Sequence, residues 1–553
     1  MKEQLRLAIQ AALKQCYADD SLTSGELPDE IQLEIPKKPD HGDFSTNLAM
    51  TLAKPERKAP RKIAEALVAA LQGNPLCDKI EIAGPGFINF RLAATCWYEV
   101  LDQIMAQGDK YGRSQIGAGT KIQVEFVSAN PTGPLHIGHG RGAVVGDAVA
   151  AVLQAAGFEV QREYYINDAG NQILTLGRSI LLRLRELQGE TIEFPEDGYQ
   201  AGYVVELAAK YRSEQGELID VSEKEAIEIC SRFGVEEILK WIEADLKAFG
   251  IQFDHWYSEK SLHDRGMVAQ ELAKLKEKGL SFEEDDALWL RTTKFGDDKD
   301  RVLIKSDGSH TYFASDVAYH MEKFDRGFDR VIDVWGADHH GYIPRMKAML
   351  AGLGHPPEDL EVLLIQMVNL LRDGKPYIMG KRSGNFVTLK EVVGEVGRDA
   401  CRFFFLMRRC DSQLDFDLEL AKQQNSDNPV YYVQYAHARI CSINRNAAEA
   451  GIKQPQSGQI DYSRLELTEE LALVKQLARF PETIVGAALS YEPHRIIFYL
   501  QDLAAQFHSY YNRHRVLVDD LETTRVRLYL VNSVRTVLAN ALLLLGLSAP
   551  EKM

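Results

Sequence analysis

The stretch 121-KIQVEFVSANPTGPLHIGHGRGAVVGDAVAAVLQAAGFEVQREYYIND-168 decides the fold. Residues 121–128 alternate apolar and polar side chains as a strand does. A loop rich in proline and glycine follows, then small and aliphatic residues that suit a helix to about Ala156. Gly157 fits the left-handed residue that ends a helix, and 158–168 reads as another strand. Strand, loop, helix and strand together open a parallel α/β sheet.

The loop between them carries the chemistry. A glycine-rich turn entering a helix exposes unpaired N–H groups and the positive end of the helix dipole, a setting that attracts phosphate. Gly138, Gly140 and Gly142 give G-x-G-x-G rather than GxGxxG, and no P-loop lysine is present, so neither NAD nor Walker-type binding is indicated. His136 and His139, at i and i+3, share one face of the first turn. Each can donate to a phosphate oxygen that gains charge in a transition state. Gly138 leaves room for a flat base to approach the backbone. A generic HxxH reads equally as two packing histidines; HIGH within PTGPLHIGHGR after a strand favours the phosphate role.

Working outward, 553 residues exceed one ordinary core and imply two to four domains. Residues 1–112 mix helical patterns with strands and end in IEIAGPGFINFRL, an α+β domain; DKYGRSQIGAGT is the linker. Residues 113–425 form the α/β domain, with a mostly helical, charged insertion at about 170–300. Strand patterns return at VLIKSDG, RVIDVWGADHHG and VLLIQMV. Residues 426–553 have helical period almost throughout, an all-α bundle.

Hydrophobic residues make up 45% and charged residues 26%, the balance of a water-soluble protein. The N-terminus lacks the pattern of a signal peptide, and LANALLLLGL is too short to span a bilayer. Seven cysteines stand singly with no CxxC pair, so neither zinc nor disulfides are expected and a reducing cytoplasm fits. A net charge of −16 argues against nucleic-acid binding over the whole surface. Local patches decide that question. Lys54, Arg57, Lys58, Arg61 and Lys62 cluster around a helix start, either as a solvated face or as a phosphate contact.

The HIGH signature after the first strand resembles class I aminoacyl-tRNA synthetases, and EFVSANPTGPLHIGHGR is similar to the arginyl-tRNA synthetases. The resemblance runs along the whole chain. It implies a multidomain α/β architecture: a Rossmann-like parallel-sheet catalytic domain, an N-terminal α+β domain and an all-α anticodon-binding bundle. It further implies ATP with Mg²⁺, L-arginine and tRNA(Arg) as substrates, and a monomer. Pro134, Leu135, His136, Gly138 and His139 would cradle ATP. DGKPYIMGKRSGNFVTLKEVV resembles the family's mobile KMSKS loop, with Lys381 as its second lysine. Ile378 and Gly380 depart from that motif, leaving Lys375 or Arg382 to supply the first lysine's charge.

For the amino acid, a guanidinium is best held by a carboxylate accepting two parallel N–H bonds. By the resemblance, Asp316 would hold it and Tyr312, one turn earlier, would wall the site; Asp316 otherwise reads as a helix-surface acid. Glu125 and Asn130 match positions for the substrate's α-amino end, and Asp338 matches a contact to ATP ribose or substrate. His339 and His340 receive no role. For tRNA, Phe87 and Asn89 match positions that read a D-loop base, Arg57 and Arg61 would face phosphates, and Tyr511 and Arg513 belong to an aromatic and basic helix suited to splayed bases. The rival readings are a synthetase for glutamate or cysteine, a smaller HIGH-type nucleotidylyltransferase, and a tRNA-binding paralogue without activity.

Overall fold

Leu5, Ile9, Ala12, Leu13 and Cys16 recur at helical spacing along the helix Lys2–Ala18, and all are buried. They face the apolar stripe of the helix Pro60–Leu71, where proline occupies the first turn and its missing N–H leaves no bond unmade. These lie in a computed structural model that describes all residues except 26, 37, 219, 378–386 and 457. Beside the two helices, strands β1 (Phe44–Thr46), β2 (Cys77–Ala83) and β3 (Phe87–Leu92) form an antiparallel sheet in the order β1-β3-β2.

This compact unit comprises residues 1–111, 440–479 and 505–537. Segments read from sequence as C-terminal bundle therefore share it with the N-terminal segment. The links are buried and remote in sequence: Tyr98 and Tyr111 donate to the carbonyls of Leu465 (3.0 Å) and Leu477 (3.1 Å). Glu470, fully buried, accepts from Tyr510 (3.0 Å) and Arg527 (2.8 Å). No local pattern encodes such contacts. The C-terminal segment is helical from Pro429–Glu449 to Leu521–Leu544, as its periodicity requires.

The other unit comprises residues 112–439, 480–504 and 538–553. Its strands β4 (Lys121–Glu125), β5 (Glu159–Ile166) and β6 (His255–Ser258) lie side by side in parallel. Next in the chain, β7 (Ser281–Glu284), β8 (Ala287–Leu290) and β9 (Arg301–Ile304) form a separate antiparallel sheet. Then β10 (Arg330–Gly336) and β11 (Leu360–Ile365) extend the parallel sheet to the order β11-β10-β4-β5-β6. Residues 170–300 are thus not only helical. They supply the edge strand β6, whose four residues are too few to show alternation. VLIKSDG forms a strand as expected, but in the small sheet.

β12 (Val368–Arg372), β13 (Lys375–Pro376) and β14 (Leu414–Asp417) make a third sheet of this unit. The first crossover helix, Ile137–Ala155, ends before Gly157 at φ 95°. It lies so close to the parallel sheet that a Cβ on Gly146 would stand 2.3 Å from Phe126. Arg402, fully buried, donates to the carbonyls of Leu545 (3.0 Å) and Phe249 (3.3 Å) and pairs with Asp147. Among the described residues no helix is long and apolar enough to cross a membrane.

Candidate active site

In the parallel sheet, β4 continues to β5 on one side and borders β10 on the other, so the strand order reverses at the β4/β10 boundary. Crevices of this kind, at the carboxyl ends of parallel strands, are where ligands bind. A cavity of about 1100 Å³ opens there, walled by the ends of β4, β5, β10 and β11, the histidine loop and the helix Tyr312–Asp325.

The backbone leaves β4 under strain. Val127 and Ser128 adopt φ of 69° and 40°, a left-handed conformation costly for a β-branched residue. Side chains hold it there: Ser128 donates to Glu125 Oε1 (2.8 Å) and accepts from the Tyr165 N–H (3.1 Å). Asn130 then reaches Gln172 Oε1 at 3.0 Å. Pro134 precedes Leu135, whose side chain is buried and whose carbonyl accepts from Leu389 N (2.8 Å). Ile137 N donates to the Val387 carbonyl (3.2 Å), so the histidine loop is laced to the residues that follow 378–386. Lys381 itself, with Ile378, Gly380 and Arg382, lies outside the described residues.

The two histidines do more than share a face. His136 is the N-cap, extended at φ −98° and ψ 168°, and its Nδ1 accepts from Gly138 N at 3.1 Å. His139 Nδ1 accepts from His136 N at 3.3 Å, and the rings stack 3.7 Å apart. With both Nδ1 atoms accepting, each neutral ring carries its hydrogen on Nε2. Burial lowers the His136 pKa, and burial beside His136 drives His139 down to about 3. The pair is therefore a capped, neutral set of N–H donors near neutral pH. The room at Gly138 is taken by this arrangement: a Cβ there would meet His136 Cε1 at 2.8 Å.

Across the cavity stands an acidic wall. Tyr312 opens the helix Tyr312–Asp325 and is exposed toward the cavity, while Asp316 is 6% exposed and accepts from the Tyr342 hydroxyl. Burial pushes Asp316 up to about 7, against the opposing influence of the Tyr342 hydroxyl and His320. Glu259, unremarked in sequence, is also buried and lies within electrostatic reach of Asp316; burial, with Asp168 nearby, raises it to about 7. Two buried acids that resist ionising suit a permanent cation. Glu125 lines the same cavity, its Oε2 accepting from Lys323 at 2.6 Å. Asp338, in the turn after β10, is solvent-exposed at the rim beside His339.

Family models match the chain at residues 3–92 (arginyl tRNA synthetase N terminal domain), 100–409 (tRNA synthetases class I (R), catalytic domain) and 433–553 (DALR anticodon binding domain). The chain belongs to the arginyl-tRNA synthetases. An arginine–tRNA ligase of Syntrophotalea carbinolica is 64% identical over the full length of both chains, and one of a Geobacter species 57% identical, again with full coverage. The Thermus thermophilus arginyl-tRNA synthetase superposes with a TM-score of 0.77 at 26% identity and full coverage of both chains. The architecture is the family's: a class I catalytic domain with an N-terminal domain and a helical anticodon-binding domain.

The residues assigned to tRNA lie in the first unit. Phe87 is 37% exposed at the start of β3, whereas Asn89, two residues on, is 8% exposed between Ser45 and Glu81 of the flanking strands. Arg57 and Arg61 are exposed, the latter 4.0 Å from Glu65. Of the aromatic helix, Phe507 and Tyr510 belong to the core; Tyr511 reaches the surface, and Arg513 pairs with Glu469 at 3.3 Å.

Sequence reading missed Glu259, Tyr342, His320, Lys323 and Asp333. One signal was available for three residues of that neighbourhood. Asp316, His320 and Lys323 recur at i, i+4 and i+7, polar groups at the spacing of a buried helix face.

Proposed function

We propose that the protein joins L-arginine to tRNA(Arg) in two steps at this cavity. The arginine carboxylate attacks the α-phosphorus of ATP, forming arginyl-adenylate as pyrophosphate leaves. A hydroxyl of the terminal tRNA ribose then attacks the arginyl carbonyl, and AMP departs. The observation that carries the reading is the pairing, in one cavity, of two neutral imidazole donors with Asp316, a buried acid held near pKa 7. The enzyme's part is positioning and charge stabilisation.

His136 and His139 donate from Nε2 to the α-phosphate, while the backbone of Pro134, Leu135 and Gly138 cradles the nucleotide. Asp338 meets the ATP ribose or the substrate. Lys381 stabilises the leaving pyrophosphate. Asp316 accepts the guanidinium with Tyr312 as its wall, and Glu125 and Asn130 take the α-amino end. Mg²⁺ arrives with the ATP phosphates. Among the described residues no three or more His, Cys, Asp or Glu side chains converge on a metal position.

For tRNA, Phe87 and Asn89 meet the elbow, Arg57 and Arg61 the backbone, and Tyr511 and Arg513 the anticodon arm. The working division is 1–112 for the elbow, 113–425 for catalysis and 426–553 for the anticodon, in a cytoplasmic monomer. ATP–pyrophosphate exchange with each amino acid, with and without tRNA, tests the assignment. Arginine alone should support exchange; equal exchange with lysine or glutamate would refute it.

A further inference from the structure

The acids of the substrate cavity are backed by a continuous buried chain of hydrogen bonds. In the register of the parallel sheet, Glu125 at the end of β4 lies directly beside Asp333 of β10. Like charges side by side on neighbouring strands repel, and Asp333 is fully buried while Glu125 is 7% exposed. Between them stands Lys323, also fully buried, whose Nζ donates to Glu125 Oε2 at 2.6 Å and to Asp333 Oδ1 at 2.8 Å. The ammonium also faces the Tyr319 ring, 4.4 Å from its centroid. The other oxygen of Asp333 accepts from His320 Nε2 at 2.8 Å, and His320 Nδ1 meets the Asp316 carbonyl at 2.8 Å.

Stability alone does not account for this chain. Buried ion pairs are often replaceable by apolar side chains at no loss. A cluster of this kind at the floor of a substrate cavity instead fixes where its outermost members point. We propose that Lys323 is a positioning residue for arginine: anchored by Asp333, which His320 holds in turn, it locks the Glu125 carboxylate in the orientation that receives the substrate's α-ammonium. The inference rests on the reading that Glu125 takes the amino end. Lys323 touches no substrate; it acts through Glu125 alone.

A pair of ligands separates this role from a merely structural one. Arginine and 5-guanidinopentanoate, which lacks the α-amino group, are titrated by calorimetry into full-length protein, wild type and Lys323→Met. Arginine should weaken about tenfold or more, the loss of one buried charge partner being more than enough for that factor. The des-amino ligand should bind wild type and variant alike, and KM for ATP should not move. Equal weakening of both ligands, or of neither, overturns the proposal. Asp333→Asn, nearly isosteric, gives the same comparison if Lys323→Met does not fold: a several-fold loss confined to arginine supports the proposal and a uniform change overturns it. Glu125→Gln identifies the source of a failure. If it also leaves the preference for the amino group intact, the assignment of Glu125 is wrong and the proposal falls with it; if it removes the preference and Lys323→Met does not, only the role of the lysine is wrong.

Discussion

Replacing Asp316 by asparagine should make the arginine-free protein more stable and the arginine-bound protein less so. Asp316 titrates near 7 in place of the ordinary 3.8, chiefly because it is buried. Its ionised form is therefore about 4 kcal/mol less favourable in the arginine-free protein than in the unfolded chain. The sign follows from proton binding. Between 3.8 and 7 the unfolded chain has lost this proton and the folded site still holds it, so the penalty grows as pH rises and is fully present above about 7. Asparagine keeps the shape and the Tyr342 hydrogen bond without the charge. At pH 7.5 the variant should gain up to about 4 kcal/mol and melt a few degrees higher without arginine. Added arginine should raise the melting temperature of the wild type and not of the variant. The same protonation weakens arginine binding in acid. At pH 6 a group that titrates at 7 lowers affinity about tenfold, and about a hundredfold if Glu259 must also ionise. Calorimetry in buffers of different ionisation enthalpy counts the protons released. A variant that melts lower without arginine, or wild-type affinity that is flat from pH 6 to 8 with no proton release, would refute the reasoning.

Three further outcomes are expected. Gly138→Ala puts a Cβ 2.8 Å from the His136 ring and should slow ATP–pyrophosphate exchange about a hundredfold while tRNA affinity holds; an unchanged exchange rate would show that the stacked cap is dispensable. At saturating arginine, kcat for exchange should stay level from pH 8 to 6, because burial holds His139 near 3 and lowers His136; a fall with an apparent pKa of 6.5 would contradict neutral donors. Arg402→Ala removes the fully buried partner of Asp147 and should cost about 3–5 kcal/mol in urea unfolding; a loss below about 1 kcal/mol would count against a structural role.

Much of the catalytic sheet was legible in the sequence because its signals are local. Alternation from residue 121, the glycine at 157 and the small residues of the crossover helix all act within one window, and the elements form there, although β4 ends at Glu125 rather than running to 128. Three things were not legible. The strand β6 is too short to be periodic. The unit that joins residues 1–111 to 440–479 and 505–537 depends on contacts such as Tyr98 with Leu465, hundreds of residues apart in the chain. The third is Glu259, 57 positions before Asp316, which carries no mark as a partner until the fold places it nearby.

Family membership, the strand–loop–helix–strand opening of the catalytic sheet and the two histidines at the helix start can be read from neighbouring residues, because motifs and periodicity are local. What those side chains are chemically depends on the folded surroundings. Folding stacks the imidazoles and keeps them neutral, buries Asp316 and Glu259 until both resist ionising, and sets Glu125 beside Asp333 with Lys323 between. A protonation state belongs to the surroundings of a group, and chain segments that are distant in sequence build those surroundings.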